Sequence, residues 1–222
     1  MIKFAIWSHG GVGKSTVARR SAEAAGFLYL NSGSFYRAIT AAVLEKGYPP
    51  DDRAAVLSVA RGCQLSIRDG RLHLDGLDME DRIRTDAVDA WVAFQSSLPE
   101  VRDIVNRSLR EIAACGNAVV EGRDIGTVVF PRADVKVFLD ADVTTRAARR
   151  HKQGTSRLSL PEIEKAIQER DLVDRNKPGG RLVPAADAQC IDASLLTIEQ
   201  VCERVAEAIL VSRNNPGDIR RL

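Results

Sequence analysis

The sequence predicts an α/β fold with a central parallel sheet that helices cover on both faces. Short apolar runs alternate with segments of helical pattern along most of the chain, and each apolar run has the length of a buried strand. The predicted strands are 2–7, 27–30, 118–120, 135–139 and 189–191, and the helices that follow three of them are predicted at about 14–25, 34–45 and 197–211.

One segment interrupts this alternation, and we predict a small antiparallel insert at about 56–90. Apolar and polar residues alternate on both sides of Asp69-Gly70. Asp-Gly between two such runs is typical of a tight β-hairpin turn, because both turn positions need a positive φ. The alternating apolar residues are Leu65, Ile67, Leu72 and Leu74.

Composition and charge are those of a globular protein. The 222 residues are 45% hydrophobic and 28% charged, and the net charge of +2 gives no reason to expect nucleic acid or a membrane as a partner. No apolar run approaches the roughly 20 residues of a membrane span, and the first residues lack the layout of a signal peptide. The four cysteines are scattered without a CxxC pair, so we expect reduced thiols and a cytoplasmic protein.

The segment GGVGKST, residues 10–16, predicts a phosphate-binding loop. It follows a predicted strand and opens a predicted helix, where the backbone N–H groups of a glycine-rich turn converge at the positive end of the helix. In such loops the lysine, here Lys14, reaches the β- and γ-phosphates, and the serine hydroxyl, here Ser15, binds Mg²⁺. The predicted nucleotide-binding residues are Gly10, Gly11, Val12, Gly13, Lys14, Ser15 and Thr16.

The start of this loop departs from the usual pattern. Ser8 stands where the first glycine is expected, and we predict an ordinary negative φ there. His9 stands where the similar loop of partition-type ATPases has a lysine that serves their dimer mechanism. We interpret His9 as a solvated loop residue. The loop by itself leaves a nucleotide-dependent switch ATPase as an alternative to a phosphotransferase.

Further segments follow in order along the chain, and together with the loop they resemble the bacterial cytidylate kinases. These segments are LNSGSFYR (30–37), IRT (83–85), PEVR (99–102), EGRDIGTVVFP (121–131), ERDLVDRN (169–176) and VPAADA (183–188). The resemblance covers about residues 1–210. It implies a three-layer P-loop kinase fold with a nucleoside-monophosphate-binding insert and a helical lid. It also implies phosphoryl transfer from ATP to CMP or dCMP.

The resemblance implies roles for individual residues. The family's acceptor-binding positions correspond to Ser32, Tyr36, Arg37, Arg102, Arg123, Asp124 and Lys177. Positions on and beside the lid, where arginines close over the transferred group, correspond to Arg150, Arg170 and Asp174. With Lys14 these are the predicted catalytic residues, and Mg²⁺ bound with ATP is the implied cofactor.

The chemistry explains why cationic side chains dominate this set. The attacking group in transfer between nucleotides is already a phosphate oxyanion, so no strong general base is needed. Catalysis then depends on positioning and on charge neutralisation by Lys14, Mg²⁺ and arginines, whose forked guanidinium groups suit phosphate.

We predict a single P-loop kinase chain, with small nucleotides as its partners and no partner subunit. Its core covers about 1–55, 91–152 and 178–212, its acceptor insert about 56–90 and its lid about 153–177. Residues 154–156 form a candidate lid hinge. Ser159 with Glu162, and Thr197 with Gln200, have the spacing of helix capping boxes.

Three departures from the family pattern concern the acceptor side. Asn31 replaces the usual aspartate, and Lys177 replaces a frequent arginine and lacks its bidentate fork. The run WVAFQSS, residues 91–97, fits the family's cytosine-reading segment poorly. These departures leave a kinase-fold protein with an altered acceptor as a second alternative.

Overall fold

The computed structural model describes residues 1–152, 154, 158–176 and 180–214, with the backbone alone for 212–214. Lys177 and residues 155–156 of the candidate hinge lie outside the described residues. By its internal contacts the chain divides into two compact units, Met1–Leu30 with Gly116–Leu222, and Asn31–Cys115. Among the described helices, none has both the length and the apolar character that crossing a bilayer requires.

The described residues form strands and helices that largely match the predicted alternation. The strands are β1 Lys3–Ser8, β2 Leu28–Asn31, β3 Leu65–Arg68, β4 Arg71–Leu74, β5 Leu77–Asp78, β6 Ala118–Gly122, β7 Val135–Asp140 and β8 Gln189–Asp192. The helices are α1 Lys14–Ala25, α2 Ser32–Glu45, α3 Arg53–Gly62, α4 Asp86–Gln95, α5 Pro99–Ala113, α6 Val143–Lys152, α7 Leu160–Asn176 and α8 Ile198–Asn214, and a short π-helix spans Ile125–Val129. The antiparallel insert predicted at about 56–90 has its strands only within 65–78, and its two ends belong to α3 and α4. The alternation assigned no element to α5.

The first unit is built on a five-stranded sheet in the order β2-β6-β1-β7-β8. β1 pairs in parallel with β6 and β7, and β7 pairs in parallel with β8. Because the carboxyl ends of parallel strands meet at one edge of the sheet, the loops after β1, β6, β7 and β8 lie together there. The predicted α/β fold with a central parallel sheet is confirmed.

β1 is buried on both faces of the sheet. Phe4 and Ile6 pack in a core cluster with apolar residues of α1, β6, β7, β8 and α8. Trp7 points to the opposite face, is fully buried, and packs edge-on against Phe138 with 5.8 Å between the ring centroids. Its indole N–H donates to the carbonyl of Val183 at 2.9 Å. The strand that leads into the phosphate loop is therefore fixed from both sides.

The second unit contains the predicted hairpin. Asp69 and Gly70 have φ values of 51° and 73°, as a tight hairpin turn requires. β3 pairs antiparallel with β4, and β4 with β5. Three of the helices start with a side chain that accepts a backbone N–H, namely Asn31 for α2, Asp52 for α3 and Thr85 for α4.

The capping box predicted at α8 is complete, and the one predicted at α7 has its carboxylate half. The backbone N–H and the hydroxyl of Ser159 donate to Glu162 at 2.7 and 2.6 Å at the start of α7. At the start of α8, the N–H of Thr197 donates to the Gln200 side chain at 2.9 Å, and the N–H of Gln200 donates to the Thr197 hydroxyl at 3.2 Å. The boundaries of these helices thus follow from local side chains.

Gly126→Ala is expected to lower the free energy of unfolding by about 1–3 kcal/mol, the usual cost of overpacking a filled core. A Cβ at Gly126 would lie 2.2 Å from ring carbons of Trp7, and that ring is fully buried. Urea unfolding followed by circular dichroism measures the loss. Gly116→Ala is the matched control, because its Cβ would meet nothing within 4 Å. Equal unfolding midpoints for the two variants would contradict the expectation.

Candidate active site

The phosphate loop lies between β1 and α1 and encloses a small cavity. Gly11 and Gly13 have φ values of 83° and 91°, a left-handed backbone that a side chain would strain. The cavity measures about 290 Å³ and is lined by residues 9–11 and 13–16 and by Arg123. Because the loop runs into the N-terminus of α1, its N–H groups and the helix dipole favour an anion. This arrangement can hold the phosphates of a nucleotide.

Ser8 occupies its position without backbone strain. Positive φ values among the described non-glycine residues occur only at Asp69 and Asp75, so the prediction for Ser8 is confirmed. Its buried hydroxyl donates to the carbonyl of His9 at 2.8 Å. Its own carbonyl accepts a hydrogen bond from Arg123 at 2.6 Å. The loop therefore tolerates a side chain where its usual pattern has glycine.

Lys14 is held by a buried carboxylate that the sequence interpretation did not single out. Its Nζ donates to Glu121 on β6, whose side chain is fully buried. The hydroxyl of Tyr29 donates to the other carboxylate oxygen. Glu121 is the register partner of Ile6 on β1, so the carboxylate lies beside the strand that enters the loop. The segment EGRD contains this residue, but no local pattern marks it as the partner of Lys14.

The two charges of this pair support each other. Burial lowers the pKa of Lys14, and the Glu121 carboxylate opposes that shift. Burial raises the pKa of Glu121, but the charge of Lys14 and hydrogen bonds from Lys14, Tyr29 and Ser15 outweigh burial, so the net pKa is lowered. Glu121 is therefore ionised, and its negative charge keeps the proton on Lys14.

Three of the predicted site residues meet at α7. Asp174 is buried, and its Oδ2 lies 3.5 Å from the Nε of Arg123 and 3.5 Å from the Nε of Arg170. Arg123 also donates to the carbonyl of Ser8 and lines the phosphate cavity. Asp124, the next residue, is buried as well. The structure thus joins the predicted Arg123, Arg170 and Asp174 in one charged cluster beside the loop.

His9 is not the solvated residue that we expected, and that prediction was wrong. Its side chain is only 3% exposed, and its Nδ1 lies 3.0 Å from the Oδ1 of Asp171 on α7. Asp171 also accepts two hydrogen bonds from the buried guanidinium of Arg146 on α6, at 3.1 and 2.6 Å. These three residues are far apart in the sequence, so local pattern could not reveal their contact.

The arginines of α6 take different positions. Arg150, the predicted catalytic residue, is exposed near the end of the helix. Arg149 donates to the carbonyls of Ala193 and Leu196 at 2.6 and 3.0 Å. Arg149 also lines a second cavity of about 280 Å³, together with Gly11, Gly13, Thr16, Lys152 and Ile198. A catalytic role for Arg150 stays a prediction.

Four predicted acceptor residues, Ser32, Tyr36, Arg37 and Arg102, belong to the second unit. The Arg102 guanidinium lies 5.8 Å from the ring centroid of Tyr36 and donates to the carbonyl of Ser96 at 3.3 Å. Ser96 belongs to the divergent run WVAFQSS, most of which forms α4. The structure therefore brings Tyr36 and Arg102 together and links Arg102 to the backbone of that run.

The start of α2 carries the other two of these residues. Ser32 is buried in the first turn of the helix. Arg37 donates to the carbonyl of Ile83 at 3.0 Å and to the carboxylate of Asp89. Asn31 accepts the N–H of Ser34 at 3.3 Å, a capping role that its amide oxygen fills as an aspartate would. Replacement of the family's aspartate thus leaves the helix start intact.

Comparisons with known proteins point to one family. The family model described as cytidylate kinase matches residues 5–210. A cytidylate kinase of Caldanaerobacter subterraneus subsp. tengcongensis is 40% identical over 98% of this chain and 98% of its own. One from Rhodopirellula baltica is 38% identical over 90% of this chain and 88% of its own. A solved structure of an uncharacterized protein from Eubacterium ventriosum matches 94% of this chain and 97% of its own, with a TM-score of 0.54 at 13% identity, which shows the fold alone.

Lys14→Met is expected to lower the free energy of unfolding at about pH 8 by about 3–5 kcal/mol, the usual cost of removing one partner of a buried ion pair. The substitution leaves the Glu121 carboxylate fully buried without its cation. Urea unfolding in the absence of nucleotide measures the loss. The double variant Lys14→Met/Glu121→Gln is the matched control, because it removes both charges and should recover most of the lost stability.

The stability of the Lys14→Met variant should depend on pH differently from that of the wild type. In the Lys14→Met variant the pKa of Glu121 rises above its unfolded value, because burial raises it and the opposing charge is gone. A folded-state pKa above the unfolded one makes stability increase as pH falls. In the wild type the pKa is lowered, so stability is lost as pH falls through 4.5 and below. A stability difference that stays constant between about pH 8 and pH 5 would contradict this account.

Proposed function

Because this chain belongs to the cytidylate kinase family, we propose that it transfers the γ-phosphoryl group of ATP to CMP or dCMP. The products are ADP and CDP or dCDP. The match to the family across residues 5–210 carries this proposal. The intact glycine cradle between β1 and α1, with Lys14 in its cavity, supports it.

The phosphate loop supplies the donor side of the reaction. Backbone N–H groups of residues 10–16 bind the β- and γ-phosphates, and Lys14 exchanges its contact with Glu121 for the phosphate charge. Charge neutralisation by groups that are already in place is the main source of rate enhancement in phosphoryl transfer. The chain needs no general base, since the acceptor phosphate is itself the nucleophile.

Mg²⁺ is the metal that we propose to enter with ATP. It prefers oxygen ligands and keeps several waters, so it binds through one or two protein oxygens and the phosphates. The hydroxyl of Ser15 fits this need, since Ser15 lines the phosphate cavity and lies within hydrogen-bonding reach of Glu121. The ion would supply charge neutralisation for the phosphates of the nucleotide.

The acceptor is bound by residues whose roles the family resemblance implies. We assign Ser32, Tyr36, Arg37, Arg102, Arg123, Asp124 and Lys177 to CMP, and Arg150, Arg170 and Asp174 to the lid that closes over the transferred group. The cluster of Arg123, Arg170 and Asp174 supports the assignment of the lid residues, because two guanidinium groups are already held at one carboxylate. Closure would exclude water and so suppress hydrolysis of ATP.

Neither alternative function is favoured. The switch-ATPase alternative was supported by the phosphate loop alone, whereas the family match spans most of the chain. We still expect this protein to be a monomer, to be located in the cytoplasm and to have no nucleic-acid partner.

Formation of ADP is expected to depend on the acceptor. A coupled ADP assay with CMP, dCMP, UMP, AMP and GMP should show turnover with CMP and dCMP well above the rate with ATP alone. The same panel measures how far the divergent WVAFQSS run changes base preference. An equal rate with every acceptor and with none would contradict phosphoryl transfer to a nucleotide.

Arg123→Ala is expected to weaken CMP binding by about 10- to 100-fold, the range for lost hydrogen bonds to a charged group. ATP affinity should change much less, because Lys14 and the loop glycines remain. Calorimetric titration with each nucleotide separates the two effects. Arg132→Ala, at an exposed position of the same unit, is the matched control. A loss of ATP affinity with CMP affinity unchanged would reverse the assignment of Arg123.

A further inference from the structure

The residues at the start of the phosphate loop are tied to α7 and to the segment that follows it. The Trp7 indole donates to the carbonyl of Val183 at 2.9 Å. Ser8 accepts a hydrogen bond from Arg123, which in turn lies beside Asp174 on α7. These contacts all involve residues that precede the glycines of the loop. His9 lies between these residues and the first glycine.

Within the described part of the chain, the close polar contact of the His9 side chain is with Asp171 on α7. Among the described residues, its Nδ1 lies 3.0 Å from the Oδ1 of Asp171, without the alignment of a full hydrogen bond to it or to any other group. The ring is buried and packs edge-on near Phe138, with 6.1 Å between the centroids. Hydrogen bonds in unliganded sites are often poorly aligned and tighten only when the site is loaded.

The charges around His9 favour its neutral form as a donor. Burial lowers its pKa, the carboxylates of Asp171 and Asp140 oppose that shift, and Arg146 adds to it, so the net pKa lies below the ordinary 6.5. The pKa of Asp171 is lowered by its contacts with Arg146 and His9, which outweigh burial. At neutral pH a neutral imidazole therefore faces a carboxylate, and the stable arrangement has the proton on Nδ1.

We propose that His9 is a positioning residue whose Nδ1–H donates to Asp171 and holds the phosphate loop against α7. Asp171 sits between Arg170 and Asp174, the two predicted lid residues of that helix. The contact thus sets the distance from the loop to both of them. Arg146 is a parallel tether, since it binds Asp171 and reaches the carbonyl of Gly10 at 3.4 Å. The effect on turnover rests on the proposed phosphoryl transfer, whereas the contact itself does not.

Two substitutions at His9 separate the hydrogen bond from the shape of the side chain. His9→Leu removes the donor, and His9→Asn keeps an N–H donor close to the position of Nδ1. We expect His9→Leu to lower kcat by about five- to tenfold, the range for one buried hydrogen bond, with KM for ATP changed by less than about twofold. His9→Asn should restore at least half of the wild-type kcat. A His9→Asn enzyme as slow as His9→Leu would overturn the proposal.

A double-mutant cycle tests whether His9 acts through Asp171. Asp171→Ala removes the acceptor and is expected to lower kcat, and adding His9→Leu to it should cause no further loss, because the hydrogen bond is already gone. Fully additive losses would show that His9 acts elsewhere and would overturn the proposal.

Nitrogen-15 NMR of the wild type tests the contact without any activity measurement and without substituting His9 or Asp171. The chain has three histidines, and His73→Asn and His151→Asn assign the other two resonances. We expect the His9 ring at neutral pH to carry its proton on Nδ1, with a titration midpoint below 6.5. A ring protonated on Nε2 alone would overturn the proposal. An enzyme without acceptor-dependent turnover would defeat the proposed function, and the NMR result would still decide the contact.

Discussion

The buried pair of Lys14 and Glu121 is the interaction on which the rest of the site depends. It joins the phosphate loop after β1 to the neighbouring strand β6, and Tyr29 and Ser15 donate to the same carboxylate. An isolated charge in this position would be costly, because both side chains are largely withdrawn from water. Each charge therefore holds the other in place. Under the proposed function, Lys14 would leave Glu121 for the phosphates of the nucleotide.

The topology of the sheet explains why so many functional side chains collect in one place. β1, β6, β7 and β8 end at the same edge, and the loop or helix after each of the first three contributes a cationic group. Lys14 follows β1, Arg123 follows β6 and Arg146 follows β7, while α7 brings Asp171 and Asp174 back to them. A parallel sheet with short connections therefore assembles a cluster of paired charges from residues that are distant in sequence.

Local chemistry made part of this structure predictable. Asp69-Gly70 sets its turn by its own backbone preference, and Ser159 starts α7 by a contact with Glu162, three residues away. The positive φ values of Gly11 and Gly13 are likewise a local preference of glycine. Local sequence could not predict the long-range contacts. The pairing of Lys14 with Glu121 depends on the order of the strands. The burial of His9 against Asp171 depends on where α7 packs. The helices α3, α4 and α5 were missed because their segments lack the strand–helix alternation on which the prediction relied. The proposed acceptor residues come from the family resemblance, and their spacing alone does not point to them.

Phosphorus-31 NMR of a mixture of enzyme, Mg²⁺, ATP and CMP tests the central claim most directly, because it identifies the fate of the γ-phosphoryl group. The account predicts that the γ-phosphate signal is replaced by the β-phosphate signals of CDP and ADP in equal amounts. It also predicts no such change when CMP is omitted. Accumulation of inorganic phosphate in place of CDP would mean that the group passes to water, and it would contradict the account.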